Sequence, residues 1–284
     1  MPYMTTHVLE RNDVRVVVGE FGAHVQRWSD GTGDLLFLSS RAVLDGSKAI
    51  RGGVPICWPW FGPHRTNPMS PAHGFARLST WRTLEVSKTK VTLELSDKDV
   101  DEALLSGFSD FCLRYSVELV DDDRLNLNLV VRNTGERELP PTTLALHSYF
   151  RVAPESVEVR LNASDVRYID QLRGDAELLT NAEGVFARFG KEEVDLIAHD
   201  VPATVDIVDK ASCRKFVIES EGLPDAVLWN PYIKKAASLA DFADEEWQCM
   251  VCVESANIQR PIVVGPGEFW RCAVTFRRWK SAET

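Results

Sequence analysis

The sequence lacks the features that mark several large classes of protein. It has no run of 18 uninterrupted apolar residues, so nothing in it predicts a membrane-spanning helix. Residues 1–13 have no basic segment followed by an apolar run, and we expect no secretory signal. None of the short patterns GxGxxG, GxxxxGK[ST], GxSxG and HExxH occurs, so the common nucleotide-binding, hydrolase and zinc-protease sites are not indicated.

Positive charge is in deficit. The 284 residues include 32 Lys and Arg against 42 Asp and Glu, which gives a net charge of -10 at pH 7. We expect neither a nucleic acid nor a membrane as partner, because these surfaces attract proteins with basic patches. An anionic small ligand would require a local cluster of Arg side chains that overcomes the negative field.

Cysteine is sparse. Six cysteines scattered over the chain do not have the density of a disulfide-stapled secreted domain, so we expect a reducing cytoplasm. Cys249 and Cys252 have CxxC spacing, but they lie in an apolar run that is typical of a strand. Residues three apart on a strand point to opposite faces, and no second CxxC is present. We therefore predict no metal site.

Period-two alternation of apolar and polar residues dominates the chain. It is clearest over residues 111–119 and 125–131, which the Asp-rich segment 121–124 separates. This pattern predicts an antiparallel hairpin with one face on a core. Length alone suggests about two domains, but large all-β sandwiches often form one. We predict an all-β protein, a large antiparallel β-sandwich that forms a single domain over residues 1–284.

Helical periodicity is scarce. Residues 99–105 could form a turn or two of helix. One short amphipathic helix is predicted where apolar residues recur at helical spacing, at Ala236, Leu239, Phe242, Ala243 and Trp247. The sandwich should therefore carry few, short helices.

The densest anomaly is the segment 51–64, RGGVPICWPWFGPH. Its three prolines bar a regular helix or a central strand, and its aromatic residues suit either a sugar ring or the packing of a loop over the sandwich. His73 and Arg77 follow within HGFAR. With Arg51, Arg77 would offer two guanidinium groups to a phosphate or carboxylate, although an Arg taken alone is more often a solvated surface charge.

Two titratable residues lie in apolar, strand-like runs. His147 is in LALHSYF, where a histidine can be a hydrogen-bonded structural residue. Glu254 ends the apolar run MVCVE, and a buried carboxylate without a partner is costly. Glu254 is therefore the more informative of the two.

Together these segments resemble a known family. The blocks RGGVPICWPWFGPH, HGFAR with a following Trp, LHSYF, WNPY and DFADEEWQCMVCVESAN are similar, in order over residues 51–257, to those of glucose-6-phosphate 1-epimerases (hexose-6-phosphate mutarotases) of the galactose-mutarotase-like superfamily. The resemblance implies a large β-sandwich and cofactor-free interconversion of the anomers of a hexose 6-phosphate.

The resemblance also implies roles for individual residues. His147 is the candidate general acid and Glu254 the candidate general base. Substrate-binding residues are implied at four positions, Arg51, His73, Arg77 and Asp195. Ala72 stands where the family often has Gln before HGFAR, which leaves one substrate hydrogen bond missing or supplied elsewhere. The segment 161–170 also lacks the glycines usual before Tyr-x-Asp.

Three alternatives remain open at the level of the sequence. They are an aldose 1-epimerase of unphosphorylated sugars, a non-catalytic sugar-phosphate sensor, and a scaffold that binds neither ligand. The presence of both His147 and Glu254 in their blocks favours the enzyme. The expected partner is a small sugar phosphate, and no stripe of residues suggests self-association, so a monomer is expected.

Overall fold

The computed structural model describes residues 4–174, 176–180 and 184–279. Strands dominate this part of the chain. The strands are β1 (Thr6–Arg11), β2 (Val14–Gly19), β3 (His24–Asp30), β4 (Gly33–Asp34), β5 (Ile56–Cys57), β6 (Arg82–Val86), β7 (Lys90–Ser96), β8 (Phe111–Leu119), β9 (Arg124–Asn133), β10 (Thr142–Leu146), β11 (Tyr149–Phe150), β12 (Val157–Arg160), β13 (Arg167–Asp170), β14 (Ala176–Leu179), β15 (Val185–Arg188), β16 (Val194–Ala198), β17 (Thr204–Asp209), β18 (Arg214–Glu221), β19 (Asp225–Asn230), β20 (Val251–Ile262) and β21 (Phe269–Trp279). The α-helices are α1 (Glu102–Leu105) and α2 (Tyr232–Ala237), and 3-10 turns occur at Ala76–Leu78, Asp97–Asp99, Pro154–Ser156, Gln171–Arg173 and Glu246–Cys249.

The strands form three antiparallel sheets. One has four strands in the order β1-β2-β3-β4. A second has eight, in the order β14-β13-β16-β19-β20-β10-β5, with β11 also paired to β20. The third has nine, in the order β15-β12-β17-β18-β21-β9-β8-β7-β6. The predicted fold, an antiparallel β-sandwich with few short helices, is confirmed.

The predicted hairpin is β8 and β9. Their register runs from Phe111 opposite Asn133 to Leu119 opposite Leu125. Every second side chain of β8 is buried, which is the alternation seen in the sequence. The turn between them is held by the Asp121 carboxylate, which accepts a hydrogen bond from the Asp123 amide.

Aromatic side chains join the sheets in the core. The ring of Phe150 on β11 lies 5.3 Å from that of Phe216 on β18 and 5.2 Å from that of Phe276 on β21. Trp28 on β3 lies 6.4 Å from both of the latter rings. Such pairs contribute about 0.5–1.5 kcal/mol each beyond their buried area. The core therefore lies between the eight- and nine-stranded sheets, and the four-stranded sheet packs against it.

The face of the eight-stranded sheet that points away from this core carries polar and titratable side chains. Along β20, Val253 packs into the core, whereas Cys252 and Glu254 belong to the other face, because successive strand residues alternate. Directly paired antiparallel residues share a face, which places Asp195 of β16 and Trp229 of β19 beside Cys252. We call this surface the outer face.

The amphipathic helix predicted around residues 236–247 is wrong. Helix α2 ends at Ala237, and the chain then makes turns before the 3-10 segment. The Glu246 carboxylate accepts hydrogen bonds from Ser39, Ser40 and Ala243, which holds this part of the chain as a loop against its neighbour. Four of the five apolar residues of the predicted helix, all except Ala243, belong to or pack against one buried cluster, so their spacing reported burial rather than helix.

The interpretation of the CxxC segment is also partly wrong. Cys249 closes a 3-10 turn, and the strand begins only at Val251. Both cysteines are free thiols.

Among the described residues, no helix has the length and apolar composition needed to cross a membrane. The single domain over residues 1–284 stays a prediction, and the chain ends lie outside the described residues.

Candidate active site

A cleft of about 300 Å³ opens on the outer face of the eight-stranded sheet. Five of the six site residues predicted from the sequence line it, although they come from distant parts of the chain: Arg51, His73, His147, Asp195 and Glu254. Arg77 is not part of the lining. The fold therefore gathers most of the predicted residues around one concave surface.

Two adjacent glycines allow the loop that carries Arg51 to approach the core. Gly53 has φ +61°, and a Cβ at this position would lie 2.1 Å from the Val25 carbonyl oxygen. The preceding carbonyl, that of Gly52, accepts a hydrogen bond of 2.8 Å from His24 Nε2. The backbone next to Arg51 is thus held in place by contacts with His24 and Val25 of β3.

The aromatic residues of segment 51–64 divide between core and cleft. Trp58 is fully buried, with its ring 4.9 Å from that of Phe111, and Trp60 is also buried. Phe61 is partly exposed and lines the cleft. Two rings of this loop therefore pack the sandwich, and one forms a wall of the cleft; contact of this ring with a sugar stays a prediction.

His73 reaches the cleft from a tight bend. Its own φ is +62° and that of Gly74 is +70°. The Gly62 amide donates to His73 Nδ1 over 3.2 Å. Because Nδ1 accepts, the neutral ring carries its proton on Nε2, where it can donate to a sugar oxygen. Burial, and then the charges of Arg77 and Arg51, lower the pKa of His73 to about 3, so the ring is neutral at pH 7.

His147 and Glu254 face each other at the base of the cleft. His147 Nδ1 lies 3.3 Å from Glu254 Oε1, and Glu254 is only 1% exposed. The amide of His147 donates to the Pro55 carbonyl, which ties the end of β10 to segment 51–64. The imidazole also stacks on Tyr149, with ring centroids 4.8 Å apart and planes at 9°. Both side chains are therefore held in place by the sheet.

Burial shifts the pKa values of this pair in opposite directions. Burial, and then the neighbouring His73 and Arg77, lower the pKa of His147 well below 6.5. Burial and the charge of Asp195 raise the pKa of Glu254 well above 4.5, against a smaller opposite effect of Arg77. A shared proton consequently favours the carboxyl group over the imidazole in the free protein.

Arg51 and Arg77 differ in their surroundings. Arg51 donates to Asp241 over 3.2 Å and to the Tyr149 hydroxyl over 3.3 Å. Arg77 Nη2 donates to the Ala72 carbonyl over 2.8 Å. The charge of Arg77 acts on His73, His147 and Glu254 although its side chain lies outside the lining.

Asp195 lies at the other side of the cleft. Gln171 Nε2 donates to its Oδ1 over 2.6 Å. Burial raises the pKa of Asp195 to about 6, while the hydrogen bond from Gln171 and the charge of Lys235 lower it. The cleft therefore contains the carboxamide of Gln171, although the position before HGFAR, where a glutamine was expected from the resemblance, is Ala72.

Replacing Gln171 with alanine should raise the pKa of Asp195 above its value of about 6, because the lost hydrogen bond favours the ionised carboxylate. A ¹³C NMR titration of the Asp195 carboxyl carbon would measure this shift. Gln248→Ala is the matched control, since that glutamine donates to exposed Glu245. An unchanged Asp195 pKa in Gln171→Ala would show that the hydrogen bond does not govern its ionisation.

One group of described residues has the spacing to hold a metal ion. The ligand atoms of His147, Cys252 and Glu254 lie within 4.8 Å of one another. All three are buried, and burial raises the pKa of the Cys252 thiol well above 9.0, which opposes the thiolate that a metal requires. The protonated Cys252 thiol therefore disfavours metal binding by this group.

Sequence reasoning missed three residues of this site. Gln171, Lys235 and Phe61 line the cleft, but none was selected as a candidate. Gln171 directly follows the Tyr-x-Asp segment, and Lys235 follows WNPY closely, so proximity to these blocks was the available signal. Their orientation depends on the paired strands behind them.

The comparisons with known proteins define the class of this protein. The family model of aldose 1-epimerase matches residues 5–277. The chain belongs to the aldose 1-epimerase family, which is a family of isomerases, and it is accordingly an enzyme that interconverts sugar anomers.

Two proteins and one crystal structure are similar to this chain over most of its length. A protein of Cenchrus ciliaris named "Putative glucose-6-phosphate 1-epimerase" is 37% identical over 88% of this chain and 77% of its own. A protein of the same name from Escherichia coli is 31% identical over 88% and 82%. The crystal structure of a "putative mutarotase" from Salmonella typhimurium superposes with a TM-score of 0.85 at 27% identity, covering 99% of this chain and 95% of that one.

Proposed function

We infer that this enzyme interconverts the α and β anomers of a hexose 6-phosphate, with glucose 6-phosphate as the preferred substrate. The observation that carries this proposal is the pairing of His147 Nδ1 with Glu254 Oε1 at 3.3 Å in a cleft of about 300 Å³. That volume is at the small end of small-molecule sites and suits a single sugar ring. The names of the relatives from Cenchrus ciliaris and Escherichia coli support the phosphorylated substrate.

Ring opening moves two protons through the substrate. The His147 imidazolium donates a proton to the ring oxygen as the bond from this oxygen to C1 breaks. The Glu254 carboxylate takes the proton of the C1 hydroxyl, and that oxygen becomes the aldehyde oxygen. After rotation about C1–C2, the reverse transfers close the ring on the other face. Each positioned acid or base contributes about 10²–10⁴-fold to the rate.

The opposite pKa shifts put the shared proton on Glu254 in the free protein, so the imidazolium–carboxylate arrangement that opens the ring is the minor form of the pair. Opening converts imidazolium and carboxylate into neutral imidazole and carboxylic acid. The lowered pKa of His147 and the raised pKa of Glu254 both favour that second arrangement, so burial helps to drive the transfer. The two arrangements hold the same number of protons, and the enzyme returns to its starting state when the ring closes.

The remaining predicted residues would bind the sugar phosphate. His73 offers a neutral ring with its proton on Nε2, and Asp195 offers a carboxylate for sugar hydroxyls. We assign Arg51 and Arg77 to the positive field that attracts the phosphate. The reaction moves no electrons, so we expect no nicotinamide or metal cofactor. A monomeric state, the absence of nucleic-acid and membrane partners, and a cytoplasmic location stay predictions.

The test is NMR exchange spectroscopy on the anomeric protons of glucose 6-phosphate, with glucose measured in parallel. We expect exchange well above the protein-free rate for the phosphorylated sugar and much slower exchange for glucose. Exchange confined to glucose would instead place the protein among enzymes of unphosphorylated sugars. Binding of glucose 6-phosphate without faster exchange would make it a sensor, and neither binding nor exchange with either sugar would fit only a scaffold.

A further inference from the structure

The cleft is lined by a cation that the sequence analysis did not select. Lys235 lies in the last turn of α2, where its side chain is exposed, and it forms part of the cleft lining. Its neighbour Lys234 is exposed on the same turn but does not line the cleft. An exposed lysine is ordinarily a solvated charge, so a role for Lys235 requires further observations.

The two cationic side chains in the lining differ in how far their charge is already neutralised. Arg51 forms an ion pair of 3.2 Å with Asp241 and also donates to Tyr149. Within the part of the chain that the structure describes, Lys235 forms no ion pair with a carboxylate. Its charge nevertheless reaches the cleft, since it lowers the pKa of Asp195. Lys235 is thus the less neutralised of the two.

The position of Lys235 relative to the acid–base pair also fits a distal group of the substrate. His147 and Glu254 lie at the base of the cleft, where C1 and the ring oxygen must react. Lys235 is on α2. Its side chain is exposed and lines the cleft, so it lies on the side of the cleft that faces solvent. The C6 phosphate is joined to C5, which neighbours the ring oxygen, through C6 and an ester oxygen. This flexible arm can extend from a sugar at the base of the cleft toward its exposed side.

We propose that Lys235 binds the phosphate dianion of the substrate and is the residue that makes the cleft selective for phosphorylated sugars. This proposal rests on the hexose 6-phosphate function proposed above. A phosphate carries nearly two negative charges at neutral pH, and the net charge of this protein is -10, so an unneutralised cation at the rim is needed to hold it. The flexible lysine stem can follow the phosphate, and an ammonium group recognises it as a point charge.

The experiment compares Lys235→Ala with Lys234→Ala, which removes the same charge from the same helical turn. Anomer exchange is measured for glucose 6-phosphate and glucose over a range of substrate concentrations. We expect Lys235→Ala to raise KM for glucose 6-phosphate about tenfold more than KM for glucose, which corresponds to about 1.4 kcal/mol. Lys234→Ala should leave both sugars as in the wild type, and Lys235→Arg should restore much of the loss.

Equal effects of Lys235→Ala on the two sugars would overturn the proposal, because the lysine would then act through Asp195 or the loop. The same loss in Lys234→Ala would also overturn it, since only the overall charge would matter. If the wild-type protein exchanges no sugar phosphate, the proposed function fails by itself. NMR titration with inorganic phosphate then still tests Lys235, through weaker binding in Lys235→Ala than in Lys234→Ala.

Discussion

Glu254→Gln is expected to lower kcat for anomer exchange by about 10²–10⁴-fold, because it removes one of the two positioned proton-transfer groups. The carboxamide has the same shape, so the cleft and the contact with His147 remain. KM should change little, since the lost interaction acts on the reacting proton rather than on the bound sugar. Exchange spectroscopy at saturating substrate measures kcat directly.

The fold of Glu254→Gln should be at least as stable as that of the wild type. Burial raises the folded-state pKa of Glu254 well above 4.5, so this carboxyl group costs stability as the pH rises above its pKa in the unfolded chain. Glutamine has no such cost, and thermal unfolding at neutral pH should show an equal or higher Tm. Glu245→Gln, at an exposed carboxylate outside the cleft, is the matched control for activity and stability.

The pH profile gives a second readout of the same substitution. The wild type should be active while the His147–Glu254 pair holds one proton. Activity should fall at low pH, where His147 also gains a proton at its lowered pKa, and at high pH, where Glu254 loses its proton at its raised pKa. In Glu254→Gln the residual activity needs only the His147 imidazolium, so the acid limb should disappear and activity should fall as the pH rises through the lowered pKa of His147. A kcat reduced less than tenfold, with both limbs of the wild-type profile retained, would remove Glu254 from the mechanism.

Gly74→Ala should cause a large loss of stability. A Cβ at Gly74 would lie 2.1 Å from the Trp58 carbonyl oxygen and 2.7 Å from Pro59 N, and the residue has φ +70°. A left-handed conformation costs a non-glycine residue about 1–2 kcal/mol, and forced movement of packed backbone adds about 1–3 kcal/mol. We expect the free energy of unfolding to fall by about 2–5 kcal/mol in chemical denaturation.

Gly267→Ala separates the two contributions. Gly267 has φ +71°, almost the same as Gly74, but a Cβ at this position would have no atom of the described residues within 4 Å. This variant should therefore lose only the conformational part, about 1–2 kcal/mol. Anomer exchange should fall in Gly74→Ala as well, because His73 precedes Gly74 in the same bend. Equal losses of stability in the two variants would show that the contact with Trp58 is relieved at no cost.

The strands were the part of the fold most open to prediction. In β8, one face is buried and the other is not, so the sequence alternates with a period of two and reports the structure directly. The prediction of a helix around residues 236–247 was wrong because the spacing of apolar residues reports their burial and not the backbone conformation. Ala236, Phe242 and Trp247 are buried in one cluster, against which Leu239 packs, but turns bring most of this segment there, and periodicity records burial alone.

The candidate site was predictable only where local blocks carried it. His73, His147 and Glu254 stand in recognisable segments, and the structure brings all three to one cleft. Gln171 and Lys235 have no comparable local pattern. Their place in the lining follows from the sheet order, which sets β13 and β19 on the same sheet as β20.

The amino-acid sequence was sufficient to predict the sandwich and the apolar alternation that builds its core, and it singled out His147 and Glu254, which the fold brings together in one cleft. The distribution of charge in the cleft, in contrast, was settled by the folded chain. Arg51 is partly neutralised by Asp241, and Arg77 lies outside the lining, while Lys235 enters it. This difference arises because secondary structure follows from neighbours along the chain, whereas the field at a site depends on distances between residues that only folding brings together.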